Sequence, residues 1–274
     1  MSNLLGAAEI REIAERLGVR PTKKLGQNFV IDANTCRKIV NVAEVESSDV
    51  ALEIGPGLGS LTLALLEKAR AVVAVEIDSR LAQELPVTAH NHGFDKKNLV
   101  VINQDAMQLD SLPIDPTVLV ANLPYNVSVP VLLRLLELFP TIKSGVVMVQ
   151  SEVADRLIAQ PGNKDYGAPT VKCNWWADMS SGGNVSRSIF WPVPNVDSSL
   201  VKFERHTTPG NEALRRLTFK VIDKAFEKRR KMLRSALSEI AQESDISAAG
   251  VDPQARGEVL SLEDFMKIAV TISK

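Results

Sequence analysis

Between residues 49 and 150 short runs of β-branched residues alternate with stretches of helical periodicity, and this alternation commits the chain to βαβ units around a parallel sheet. Strands are expected at 50–55, 71–78, 99–105, 118–123 and 145–150, with amphipathic helices at 60–70, 80–90 and 129–139. Ser60 is placed to cap the first helix and Pro140 to stop the last. Right-handed crossovers then require helices on both faces of the sheet, so the expected class is α/β, doubly wound and Rossmann-like.

Beyond this region the pattern changes. Residues 7–17 read as a short helix closed by Gly18, followed by Pro21 and a basic polar loop. Residues 175–203 carry Gly, Ser and Pro punctuation around short strands, the last at 198–204, which suits an antiparallel edge to the sheet. Past His206 the segment Thr207-Thr208-Pro209-Gly210-Asn211 is turn-rich, and everything after it reads as helix. The expected organisation is a sheet domain over 1–206, including an N-terminal helical extension, and a small all-α domain over 207–274.

At 45% hydrophobic and 24% charged residues the chain has a globular composition, and its longest apolar runs fall far short of the roughly 20 residues a membrane span needs. With no leader-like N-terminus it reads as cytoplasmic, and no long apolar stripe demands a partner, so a monomer is expected. Cys36 and Cys173 form no CxxC pair, and His90, His92 and His206 lack ligand spacing, so neither a disulfide framework nor a metal site is expected. A net charge of −1 gives no global attraction to nucleic acid; any such attraction must be local.

The first strand runs into Glu53-Ile54-Gly55-Pro56-Gly57-Leu58-Gly59-Ser60, a glycine turn entering a helix. Glycines let the backbone approach a ligand, and in a doubly wound sheet this crevice holds nucleotide-like molecules. Glu76 ends the second strand, 21 residues after Gly55, where a carboxylate can accept from both ribose hydroxyls. The dinucleotide fingerprint GxGxxG would need glycine where Ser60 stands. GxGxG preceded by Glu53 instead resembles the first motif of S-adenosylmethionine-dependent methyltransferases, and a nicotinamide-dependent dehydrogenase stays as an alternative. Asp105, closing the third strand, suits the cofactor's adenine amine and equally a strand-end turn.

The fourth strand ends in Asn122-Leu123-Pro124-Tyr125. An aromatic amine is a poor nucleophile because its lone pair is delocalised into the ring. Acceptors aimed at its two N–H bonds favour a more tetrahedral nitrogen. The Asn122 side-chain oxygen and the Leu123 carbonyl can supply them, with Pro124 stiffening the turn. Tyr125 can stack on the base, and Phe190, in Phe190-Trp191-Pro192-Val193-Pro194, can cover its opposite face. The same tetrapeptide also suits a plain strand-to-helix turn.

From 215 to 234 there are nine basic residues against Asp223 and Glu227, nine minus two giving +7. They are Arg215, Arg216, Lys220, Lys224, Lys228, Arg229, Arg230, Lys231 and Arg234. Phe219, Ile222, Phe226 and Leu233 recur at helical spacing and can face the sheet domain, leaving the basic residues outside. The segment reads either as a solvated helix face or as a phosphate-binding one, to which Thr22, Lys23 and Lys24 add.

Taken together, Lys24-Leu25-Gly26-Gln27-Asn28-Phe29-Val30-Ile31-Asp32, the glycine turn, Val75-Glu76-Ile77-Asp78 and Asn122-Leu123-Pro124-Tyr125-Asn126 resemble the ribosomal RNA adenine dimethyltransferases, over almost the whole chain. Ser151-Glu152-Val153-Ala154-Asp155-Arg156-Leu157, residues 162–167 and 192–199, and Leu260-Ser261-Leu262-Glu263-Asp264-Phe265 resemble the bacterial small-subunit branch in particular. The resemblance implies a class I methyltransferase sheet and S-adenosylmethionine as cofactor. It also implies dimethylation at N6 of two neighbouring adenosines near the 3′ end of 16S rRNA, within the small ribosomal subunit or its precursor, during ribosome biogenesis.

By that resemblance Asn28 and Val30 line the methionine end of the cofactor and Gly55 meets it by backbone. Glu76 holds the ribose, Asp105 the adenine, and Asn122 stands at the transfer point. Lys23, Lys24, Lys228, Arg229, Arg230, Lys231 and Arg234 are the RNA-binding candidates. The family usually shows Leu at the position of Val30 and Lys at that of Asn195. A large-subunit (23S) adenine methyltransferase conferring antibiotic resistance and a non-catalytic nucleic-acid-binding relative are the alternatives.

Overall fold

The structure, a computed structural model, describes residues 4–19, 28–228 and 230–273. Helix α1 (Ala7–Arg16) buries Ile10, Ile13 and Ala14, and Gly18 takes φ +61° just beyond its end. A two-residue strand β1 (Phe29–Val30) leads to α2 (Ala33–Val42), capped by Asp32, which accepts from the Thr35 N–H at 2.9 Å. Then follow β2 (Val50–Ile54), α3 (Ser60–Leu66), β3 (Ala71–Glu76), α4 (Ser79–Asn91), β4 (Leu99–Asn103), β5 (Val118–Asn122), α5 (Ser128–Leu138) and β6 (Ser144–Gln150). After α6 (Ser151–Ile158) and α7 (Ala168–Cys173) come β7 (Ala177–Val185), β8 (Phe190–Trp191) and β9 (Ser198–Arg205). Helices α8 (Glu212–Glu227), α9 (Leu233–Ala236), α10 (Glu243–Ala248) and α11 (Leu262–Ile272) complete the described chain.

The main sheet has the order β4-β3-β2-β5-β6-β9-β7. Strands β2 to β6 pair in parallel, and β9 runs antiparallel to β6 from Ser144↔Glu204 to Gln150↔Ser198. The chain moves outward from β2 to β4, then returns beside β2 as β5 and continues the other way. This reversal opens a crevice at the carboxyl ends of β2 and β5. Ala51, Val72, Val120 and Val146 share a core with Ile39, Leu63 and Leu85 from α2, α3 and α4. Their opposite-parity neighbours Leu52, Val73, Leu119 and Val147 are buried as completely, as a sheet covered on both faces requires.

Three details differ from the sequence reading. Strand β8 leaves the main sheet to pair with β1, Phe29 opposite Trp191 and Val30 opposite Phe190. Helix α3 stops at Leu66 instead of 70. Its cap position is Gly59, with φ +99°, while Ser60 is its first residue and donates through Oγ to the Val30 carbonyl at 2.6 Å. Ser60 thus stands one position inside the helix, and its hydroxyl ties α3 to the β1 segment instead of capping it.

The chain divides into two units, one of Met1–Ala154 with Ser180–Arg205, the other of Asp155–Met179 with His206–Lys274. Residues 155–179, assigned from sequence to the first domain, thus belong with the C-terminal helices. The reason lies in what they bury: Ala159, Tyr166 and Val171 share a core with Val221, Ile222, Leu233, Leu260 and Phe265, and Tyr166 donates to the Leu260 carbonyl at 2.7 Å. The apolar stripe of α8, expected to face the sheet, likewise serves the helical unit's own core. Ser261 and Asp264 cap α11 reciprocally, which gives the Leu260–Phe265 motif a structural role.

Candidate active site

The glycine turn after β2 owes its course to backbone conformations that other residues rarely adopt: Gly55, Gly57 and Gly59 have φ of +68°, +58° and +99°. A Cβ on Gly57 would sit 2.9 Å from Phe29 Cδ1, so this residue is fixed by space as well as by torsion. Beside the turn lies a cavity of about 310 Å³ lined by 24 of the described residues, among them Asn28, Val30, Gly55, Glu76, Asp105, Asn122 and Pro124. The structure therefore brings together all six residues expected around a cofactor.

Two of the acids there, Glu76 and Asp105, are held by backbone donors. Glu76 is buried; its Oε2 accepts from the Gly57 N–H at 3.1 Å and its Oε1 from the Asp78 N–H at 2.9 Å. Burial raises its pKa, and these two N–H donors work against the rise. Asp105 accepts from the Met107 N–H at 2.9 Å, capping the turn of residues Ala106–Gln108 as a strand-end turn residue does, and also lines the cavity. Asn122, at the end of β5, donates through Nδ2 to the Asn28 carbonyl at 3.4 Å, which leaves its Oδ1 available as an acceptor.

The rest of the Asn-Leu-Pro-Tyr loop is anchored from outside the cavity. The Leu123 N–H donates to the Met148 carbonyl at 3.1 Å, and the Tyr125 hydroxyl shares a 2.7 Å bond with Ser198 Oγ on β9. Burial raises the Tyr125 pKa, so the phenol stays neutral. Phe190 departs from expectation: at 1% exposure it is packed into the core with β1 and presents no open face to a base. Its short pairing with Val30 explains why, since β8 is drawn over β1 and not out to the loop.

Several cavity residues carry no distinct signal in the sequence. Glu53, conspicuous there only as the residue that precedes the glycine turn, is 1% exposed, lines the cavity and accepts from Thr62 Oγ1 at 2.6 Å; burial pushes its carboxyl up to about 8. Ile77 and Met107 keep 54% and 38% exposure while lining it. Apolar side chains placed just after a strand-end acid are the available signal. Among the described residues no group of three or more His, Cys, Asp or Glu could hold a metal ion, and no helix is long and apolar enough to cross a membrane.

The basic segment is not one continuous helix. Helix α8 ends at Glu227, and Lys228, Arg230, Lys231 and Arg234 are exposed on the following turn and the start of α9. Lys23, Lys24 and Arg229 lie outside the described residues. Arg215 is no surface charge: it is buried, doubly bonded to Glu212 and set over the Trp176 and Phe219 rings at 5.4 and 5.1 Å. Lys224 is paired with Glu239 at 2.7 Å and Glu227 at 3.1 Å. Among the described residues, Arg216 and Lys220 on α8 are also exposed, and the rest of the segment's accessible positive charge lies at 228–234, where carboxylates stand 3.9 Å from Lys228 and 3.8 Å from Arg234.

Residues 19–274 match the family model described as ribosomal RNA adenine dimethylase. The chain is 57% identical to "Ribosomal RNA small subunit methyltransferase A" of Leifsonia xyli subsp. xyli, over 97% of this chain and 98% of the relative. Among solved structures it resembles a dimethyladenosine transferase from Plasmodium falciparum, with TM-score 0.71 and 27% identity over 88% of this chain and 95% of that one. It also resembles the 23S rRNA methyltransferase ErmE, with TM-score 0.66 and 26% identity over 90% of this chain and 100% of that one. The glycine turn, the acids at the strand ends and the Asn-Leu-Pro-Tyr loop are therefore read in one context: this chain belongs to the ribosomal RNA adenine dimethylase family.

Proposed function

We propose that the chain transfers methyl groups from S-adenosylmethionine to N6 of two neighbouring adenosines near the 3′ end of 16S rRNA, in the small ribosomal subunit or its precursor. The similarity to a relative named for the small subunit, at 57% identity, favours this substrate over large-subunit rRNA. The observation that carries the chemistry is Asn122: it lines a cavity built beside the glycine turn, its amide nitrogen donates to the Asn28 carbonyl, and its oxygen has no hydrogen bond among the described residues.

The cavity suits the cofactor on its own terms. Its volume of about 310 Å³ lies in the range of small-molecule sites, and the described residues lining it include Glu53, Glu76 and Asp105 but no Lys, Arg or His, an acceptor set suited to a cationic, hydroxyl-bearing ligand. S-adenosylmethionine, when bound, supplies a methyl group already activated on a sulfonium. Asn28, Val30 and Gly55 would hold its amino-acid end, Glu76 the ribose and Asp105 the adenine.

The protein's task is then positioning. Asn122 Oδ1 and the Leu123 carbonyl would accept the two N–H bonds of the target amine, drawing its lone pair out of the ring. The Tyr125 ring, fixed by Ser198, would stack on the base and offset part of the cost of unstacking it. Lys228, Arg230, Lys231 and Arg234 would bind RNA phosphates, together with Lys23, Lys24 and Arg229. Incubation with labelled methyl donor and separated ribosomal RNAs tests the reading: label should enter small-subunit RNA, and entry into large-subunit RNA alone would refute the substrate assignment.

A further inference from the structure

The cavity's three carboxyls are not equally supported. Glu76 and Asp105 accept from backbone N–H groups. Glu53 is deeper, and among the described residues its carboxyl has one hydrogen bond, from Thr62 Oγ1. Among the described residues the groups acting on it bring no positive charge: Thr62 from α3, the buried Cys36 thiol from α2, whose ionisation burial suppresses, and the Glu76 carboxyl from β3. A buried carboxylate without a counter-charge is costly, so near neutral pH Glu53 keeps its proton. Burial is the first cause of that retention.

We propose that Glu53 senses the charge of the molecule in the cavity, releasing its proton when the cationic methyl donor is bound and keeping it when the neutral thioether product is bound. This rests on the reading of the cavity as the donor's site. The two ligands differ by one methyl group and one positive charge, and it is the charge that a low-dielectric pocket weighs more heavily. A cation beside Glu53 favours its carboxylate, whereas a neutral ligand only removes water and favours the acid. The proton passes to solvent on donor binding and returns when the product has replaced the donor.

Linkage sets the direction of the effect. Donor affinity should increase with pH, by up to about tenfold per unit, until Glu53 is ionised in the free protein, while product affinity stays flat or falls. The enzyme would then discriminate against its own product more strongly at pH 8 to 9 than at about pH 6.

Calorimetric titration of the full chain with S-adenosylmethionine and, separately, S-adenosylhomocysteine tests this, in two buffers of different ionisation enthalpy near pH 7. Donor binding is expected to release roughly half to one proton and product binding close to none. In Glu53→Gln the two ligands should exchange equal numbers of protons. Because this substitution is buried, wild-type affinities for both ligands across about pH 6 to 9 give a second reading that needs no variant. Equal proton release by the two ligands in the wild type, or an affinity ratio that does not change with pH, overturns the proposal and leaves the donor site standing. Failure of the wild type to bind either ligand overturns the site reading, and this inference with it.

Discussion

Asn122 and Glu76 occupy equivalent places, each the last residue of a parallel strand, and differ in what they offer. Among the described residues the amide keeps an oxygen without a hydrogen bond; the carboxylate keeps the lone pairs left over from two backbone bonds. Asn122→Ala should therefore lower turnover by about 10²- to 10³-fold with donor affinity largely kept, as single-turnover methylation beside calorimetry would show. Glu76→Ala should do the reverse and weaken donor binding, and unchanged affinity would remove the ribose assignment. Glu53 makes a prediction about stability. Its folded-state pKa stands near 8 against an ordinary 4.5, so the folded protein holds a proton that the unfolded chain has lost. Stability from this group is full below about pH 4.5, is lost as pH rises through 8 and levels off above it. Melting curves from about pH 5 to 9 should show that loss in the wild type and a shallower one in Glu53→Gln.

At the level of elements, the parallel strands and their helices are legible in the sequence because a strand buried on both faces needs a continuous apolar run rich in valine, as Val72-Val73-Ala74-Val75 and Val118-Leu119-Val120-Ala121 are. The turn between β2 and α3 is legible for the opposite reason, that three glycines in five residues have few other uses. Gly57→Ala, strained at φ +58° and 2.9 Å from Phe29, should cost about 1 to 2 kcal/mol and abolish donor binding. Gly93→Ala, at φ +84° with open space around its Cβ, should carry only the torsional cost and bind normally. What sequence does not convey is the partner of a short strand. Phe190 and Trp191 carry no periodicity that distinguishes the main sheet from β1, so sequence alone sets Phe190 against the substrate when it belongs to the core. Likewise the apolar stripe of α8 declares that it is buried, not against which neighbour.

For the molecule as a whole, the discontinuous second unit is the feature least visible in the sequence, because residues 155–179 are separated from 206–274 by strands that belong elsewhere. The basic run is visible, but its worth depends on pairing: Arg215 turns inward and Lys224 is matched by acids, leaving Arg216 and Lys220 exposed with the turn at 228–234. Replacing Lys228, Arg230, Lys231 and Arg234 by Glu should leave melting temperature and donor affinity unchanged. The salt dependence of RNA binding should flatten by about 0.7 in log–log slope for each phosphate that is no longer neutralised. A slope equal to wild type would make that turn ordinary solvated surface. The account as a whole depends on the Asn122 amide acting on an adenine of small-subunit RNA. Undermethylated small subunits incubated with labelled donor and with either wild type or Asn122→Ala, followed by primer-extension mapping, test it most directly. Two adjacent modified adenosines near the 3′ end with wild type and almost none with the variant are predicted; equal modification by both proteins, or label placed elsewhere in the RNA, would contradict it.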